Sequence, residues 1–147
     1  MSSDDFIQGH LMSETLQLEI VTPEATVFSE AVEMVTLPGL EGQLGILPGH
    51  VALMTQMVPG EMTVRKDGRD RFLAVGEGLV EITSRRVAVL TIMAIPVENI
   101  DEAKAEETRL QAEAKLHERL SAEEVASVNA VLVRSLAQLN VKRRQHN

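Results

Sequence analysis

Hydrophobic and polar positions alternate from residue 15 onward, and the period of the alternation changes once along the chain. In "LQLEIV", Leu16, Leu18 and Ile20 point to one side while Gln17 and Glu19 point to the other. That two-residue period belongs to a half-buried strand. Pro23, with no N–H for a ladder bond, ends it. The same style runs on to Ile95: short stretches of Val, Ile, Leu and Thr, broken by glycine, proline or charged turns. "TVRKDGRDRFLAV" predicts a hairpin with Asp67-Gly68 in the positive-φ turn, and Gly76-Glu77-Gly78 predicts the next turn. "LVEIT" and "RVAVLTIMA" then pair across Ser84-Arg85. Short strands at this spacing predict an antiparallel β-sandwich or flattened barrel over residues 14–96.

Past Pro96 the pattern becomes helical. "VENIDEAKAEETRLQAEAKLHERL" holds no glycine or proline and is rich in Ala, Glu, Lys, Leu and Gln, all strong helix formers. Asn99 or Asp101 is placed to cap its start. "SAEE" fits a capping box, Ser121 as N-cap and Glu124 at N3, so a second helix begins where the first ends. Its apolar stripe is Val125, Val128, Leu132, Leu136 and Leu139. Residues 97–147 therefore predict an antiparallel α-helical hairpin, and the fold class is α+β. Two helices of this size are marginal alone. The hairpin is expected to lie on the β domain or on another protein, and to move between such states.

Composition narrows the chemistry. The chain has 147 residues and no cysteine, which excludes disulfide scaffolds, thiolate metal sites and thiol nucleophiles. A net charge of −8 and three aromatic residues, Phe6, Phe28 and Phe72, argue against nucleic-acid binding. No apolar run is long enough to span a membrane. "MSSDDFIQGHLM" is too acidic for a signal peptide; residues 1–13 are expected to form a flexible tail, with Met12 as an alternative start. Charge is uneven in the hairpin: Val97–Glu124 carries nine acidic and four basic residues, whereas Val125–Asn147 carries Arg134, Lys142, Arg143 and Arg144 and no acid. A basic strip of this kind suits either the negative end of a helix dipole or an acidic protein surface.

"GQLGILPGH", Gly42–His50, is the candidate for chemistry. A Walker loop ends in Gly-Lys-Ser/Thr, and no lysine precedes Lys66. A dinucleotide fingerprint opens a helix, which Pro48 and the surrounding β pattern oppose. His50 has only Glu41 near it in sequence, and no histidine pair has metal-ligand spacing. What remains is a stiff displayed turn. Gly39, Gly42, Gly45 and Gly49 are open to positive φ, Pro38 and Pro48 fix φ nearby, and Leu44, Ile46 and Leu47 are expected to anchor it.

"EGQLGILPGH" at Glu41–His50, "GEGLVEI" at Gly76–Ile82 and "IDEAKA" at Ile100–Ala105, opening a helical hairpin, together resemble the epsilon subunit of the F-type ATP synthase, over nearly the whole chain. The resemblance implies a non-catalytic rotor subunit of the central stalk, whose sandwich binds the gamma subunit and the c-subunit ring. It assigns Gly42, Gln43, Leu44, Gly45, Pro48, Gly49 and His50 to the c-ring contact; Gln43 stands where the family carries glutamate. The hairpin would fold down on the sandwich or extend along gamma. Extended, it would inhibit ATP hydrolysis, with Arg134, Lys142, Arg143 and Arg144 meeting the beta and alpha subunits. The complex would hold the chain, peripherally, on the cytoplasmic face of the bacterial inner membrane. Some members bind ATP on the folded hairpin. Here Ile100, Asp101, Ala105 and Arg134 match that motif, but Lys104, Gln111 and Gln138 replace arginines, so ATP is expected to bind only weakly, poorer than about 1 mM. No other cofactor and no metal is implied.

Overall fold

The computed structural model describes residues 14–146, so the expected tail at 1–13 lies outside the described residues. Ten strands come first: β1 (Leu16–Val21), β2 (Thr26–Val32), β3 (Met34–Gly39), β4 (Gly42–Ile46), β5 (Leu53–Met57), β6 (Gly60–Lys66), β7 (Arg69–Val75), β8 (Gly78–Ile82), β9 (Arg86–Thr91) and β10 (Ala94–Pro96). A 3-10 turn at Val97–Asn99 leads to helices α1 (Glu102–Lys115) and α2 (Ala122–His146).

The strands form one path, β10-β7-β6-β3-β5-β8-β9-β1-β2, with β4 added to β3. β3 and β5 meet only at Gly39 and Met57, and there the sheet folds over on itself. The inward residues of both layers, Leu16, Leu18, Ile20, Val35, Leu37, Met62, Val64, Val80, Ile82, Val87 and Val89 among them, then share one core. Glu30 of β2 pairs with Lys66, and lies 3.8 Å from Arg71, drawing the free edge toward β6 and β7 into a nearly closed barrel. The pattern did not announce one pairing: β1 runs parallel to β9, Val21 beside Leu90. Alternation reports which face a residue takes, and carries no information on the direction of the neighbour.

The β6–β7 hairpin turns as expected, with Asp67 at φ 54° and Gly68 at φ 72°. β8 and β9 pair in the expected register, Gly78 opposite Thr91 and Ile82 opposite Val87. The Gly76–Gly78 corner instead carries the chain from one layer to the other, since β7 and β8 do not pair. A Cβ on Gly78 would meet the Leu90 carbonyl oxygen at 2.2 Å, and one on Gly76 the Ile92 side chain at 2.7 Å. Glu77 is thereby held at a tight corner.

Asp101 caps α1, its Oδ1 accepting from Lys104 N at 3.0 Å. The predicted capping box opens α2: Glu124 N donates to Ser121 Oγ at 3.2 Å and Ser121 N to Glu124 Oε1 at 3.1 Å. The α2 stripe differs from expectation. Leu139 is buried, but Leu136 is 37% exposed, and Ser135, Ala137 and Val141 are buried instead. The helix packs on two neighbours, α1 on one side and β6 and β7 on the other. It therefore buries two adjacent i, i+4 rows, 135/139 and 137/141, where a one-sided helix would bury one.

Candidate functional sites on the sandwich and the docked hairpin

The Gly42–His50 segment is half strand and half turn. Gly42–Ile46 is β4, laid antiparallel on β3 from Gly39↔Gly42 to Val35↔Ile46, with Leu40 and Glu41 at the hairpin tip. Gly42 and Gly49 take positive φ, 122° and 89°. Gly39 and Gly45 do not; Gly39 is needed for space, whereas Gly45 faces only the end of one methionine side chain. An added Cβ would lie 2.9 Å from the Gly42 carbonyl oxygen in the first case and 3.1 Å from Met34 Cε in the second. Ile46 enters the core and Leu44 packs against it. Leu47 is no anchor: it is 56% exposed, because the strand has ended and the following turn faces outward. That turn closes through His50 N to the Leu47 carbonyl at 3.2 Å, and Gly49 N reaches the Ser84 carbonyl at 2.6 Å. His50 Nδ1 is 2.7 Å from the Val51 carbonyl oxygen, so the ring is engaged with backbone. Gln43 is exposed and also lines a groove against α2 with Pro38, Glu61 and Arg144.

The hairpin is docked on the sandwich. Val141 packs on Ala74 and Ile100, with Phe72, Met93, Ile95 and Val97 around them. All four predicted basic residues have partners. Arg134 pairs with Glu77, Lys142 reaches the Val97 carbonyl, Arg143 bridges Glu102 and Glu106, and Arg144 approaches Glu61. The Arg134 guanidinium holds the Glu77 carboxyl below its usual range. Arg109, then Arg143, does the same for Glu106. Nothing in the linear pattern singled out Glu61 or Glu77; the one available sign was a carboxylate set between two glycines.

The Glu77 shift, the one of the two made between sandwich and hairpin, gives a pH prediction. A carboxyl whose pKa falls on docking contributes stability that is complete above its free value, about 4.3, and lost as pH drops through the lowered value. Acidification from about pH 6 to below 4 is expected to loosen the docked hairpin, and alkalinisation is not. NMR amide shifts of α2 against those of the sandwich core would follow it; equal response in both would contradict the assignment.

The residues matched to ATP binding are only partly brought together. Asp101, Lys104 and Ala105 line a cleft with Thr108, Ser135 and Gln138. Ile100 is in the core and Arg134 is turned to Glu77. The Asp101 carboxylate is engaged as the α1 cap.

A further surface feature escaped sequence reading. Val21, Leu90 and Leu79 stand side by side across β1, β9 and β8. Leu79 and Leu90 are 51% and 59% exposed, and Ile92, just past the end of β9, and Met54, in β5 beside β8, are exposed as well. This apolar row lies away from β6 and β7, on which α2 packs. Among the described residues no helix is long and apolar enough to cross a membrane, and no group of three or more His, Asp or Glu is placed to hold a metal.

The described fold is a ten-stranded β-sandwich carrying a docked helical pair. The family model described as "ATP synthase, Delta/Epsilon chain, beta-sandwich domain" matches residues 15–97. The chain is 41% identical over 132 residues to the ATP synthase epsilon chain of Herpetosiphon aurantiacus, covering 90% of this chain and 97% of that one. It is 39% identical over 130 residues to that of Herminiimonas arsenicoxydans, covering 87% and 93%. It therefore belongs to the ATP synthase epsilon chain family. The fold is shared with a chain of the Euglena gracilis mitochondrial ATP synthase, in a structure of its OSCP, F1 and c-ring, at a TM-score of 0.65 and 22% identity, covering 90% of this chain and 80% of that one. A chain of the Tetrahymena thermophila central stalk and c-ring gives a TM-score of 0.61 at 9% identity, covering 90% and 96%.

Proposed function

We propose that this epsilon chain is a non-catalytic central-stalk subunit that couples the catalytic head to the c-ring and restrains ATP hydrolysis through its hairpin. The β3–β4 tip and the turn through Pro48, Gly49 and His50 are its c-ring contact. The exposed row of Leu79 and Leu90 is its gamma contact. The hairpin, released, carries its basic strip to the beta and alpha subunits. The subunit sits peripherally on the cytoplasmic face of the bacterial inner membrane, held there by the complex.

The observation that carries the coupling part is the apolar row itself. Large apolar side chains gathered on one exposed sheet face mark an interaction surface, whereas scattered ones do not. Gln43 makes the c-ring contact differently from a glutamate, through hydrogen bonds without an ion pair. The cleft at the start of α1 gives ATP a weak hold, because Lys104 is its one lining cation and acts as a point charge without a guanidinium fork.

The test is capture by gamma. Burying a leucine contributes about 1.5–3 kcal/mol. Leu79→Asp combined with Leu90→Asp is therefore expected to weaken gamma binding about a hundredfold or more. Circular dichroism would confirm that the variant folds. Unchanged capture would remove gamma from this face.

A further inference from the structure

The basic strip of α2 is occupied in the docked hairpin, and two of its cations are held by the sandwich itself. Arg134 places Nε 3.1 Å and Nη2 3.3 Å from the two carboxylate oxygens of Glu77, a two-pronged pair. Arg144 Nη1 lies 3.5 Å from Glu61 Oε1, and Gln145 donates to Glu61 Oε2 at 3.0 Å. The two carboxylates come from different places, the β7–β8 corner and the start of strand β6, and they meet α2 at points ten residues apart.

Both acceptors are set rigidly. Glu77 sits between two glycines that admit no side chain, and its carbonyl accepts from the Thr91 hydroxyl at 2.9 Å. The Glu61 side chain is only 12% exposed beneath the helix end. The apolar part of the dock is small, centred on Val141, Ala74 and Ile100. Where apolar burial is slight, ion pairs of ordinary strength decide whether an element stays down.

We propose that Glu77 and Glu61 form a two-point carboxylate latch that holds the hairpin down and withholds Arg134 and Arg144 from acidic partner surfaces. This rests on the regulatory reading of the hairpin and adds what controls it. Release is then an exchange of carboxylates: the cations leave Glu77 and Glu61 when a competing acidic surface takes them. Docking and partner engagement exclude one another because they use the same guanidinium groups. Since both pairs are partly solvated, salt weakens the latch.

Amide exchange on the full-length chain tests this without the motor. Glu77→Gln is expected to lower protection factors in α2 about fivefold, the size of an exposed ion pair, with the sandwich core unchanged. Glu77→Arg, which places like charges together, is expected to lower them about tenfold or more, and Glu61→Gln to add to either. The exchanged pair Glu77→Arg with Arg134→Glu is expected to restore protection. Undiminished α2 protection in Glu77→Arg, or a charge swap that restores nothing, would overturn the latch. Hydrolysis by the reconstituted complex separates the two readings. Reduced protection together with reduced hydrolysis in Glu77→Arg supports both; reduced protection with hydrolysis unaffected keeps the latch and removes the inhibitory role of the hairpin.

Discussion

Removing residues 98–147 is expected to leave a folded sandwich that still captures gamma, and to raise ATP hydrolysis by the assembled complex. The packing argues for the first half. The main core is built from Leu16 to Ala94 and takes no side chain from either helix. What the deletion uncovers is the small second cluster, where Phe72, Ala74 and Ile95 lose Val141 and Ile100. That is a solubility cost, and it leaves the ladder β10-β7-β6 intact. The second half follows from the inhibitory reading. A regulatory coupling of ordinary size, about 1–3 kcal/mol, corresponds to an increase of about fivefold or more once its carrier is gone. Steady-state hydrolysis by the reconstituted complex, with and without the hairpin, measures it. A truncated chain that no longer folds would contradict the packing argument, and an unchanged or lower rate would contradict the inhibitory one.

Among the described glycines, Gly78→Ala is expected to be the most damaging substitution. The added methyl would stand 2.2 Å from the Leu90 carbonyl oxygen and 2.9 Å from Thr91 Cα, both backbone atoms of the paired strand β9. A side-chain neighbour could rotate away, but here two ladder strands must part. Overpacking of this severity costs about 3 kcal/mol or more. In a chain of this length that lowers the melting temperature by roughly 10 °C. The readout is far-ultraviolet circular dichroism, since the chain has neither Trp nor Tyr to report by fluorescence. Gly68→Ala is the control. Gly68, unlike Gly78, has positive φ, and nothing lies within 4 Å of its Cβ position, so only backbone strain is added and the loss is about 1 kcal/mol. Equal effects at the two positions would refute the steric account.

Much of this was legible in the linear pattern. Leu16, Leu18 and Ile20 are all fully buried, as their spacing requires, because a strand's period of two fixes a face whatever lies opposite. Asp67-Gly68 and the Ser121–Glu124 box formed where expected because their bonds are made within a few residues. Leu47 and Leu136 were misread for a common reason. Both are apolar residues near a buried run, and whether such a residue is covered depends on where the strand ends or on how many neighbours the helix has. Gly39 and Gly45 were read for torsional freedom that neither uses, and at Gly39 the tertiary structure uses the lack of a side chain.

By itself, then, the sequence determined the buried face of β1, the Asp67-Gly68 turn, the caps of both helices and, through its motifs, the family. Each of these is settled by interactions a few residues long. Only the tertiary structure decided that β1 lies parallel to β9, that Leu79 and Leu90 form one exposed row, and that Glu77 and Glu61 receive Arg134 and Arg144. Glu77 and Arg134 stand 57 residues apart, and no local period relates them. They meet because a glycine-flanked corner and a two-sided helix are brought together by folding, and such a pairing exists only once the whole chain is in place.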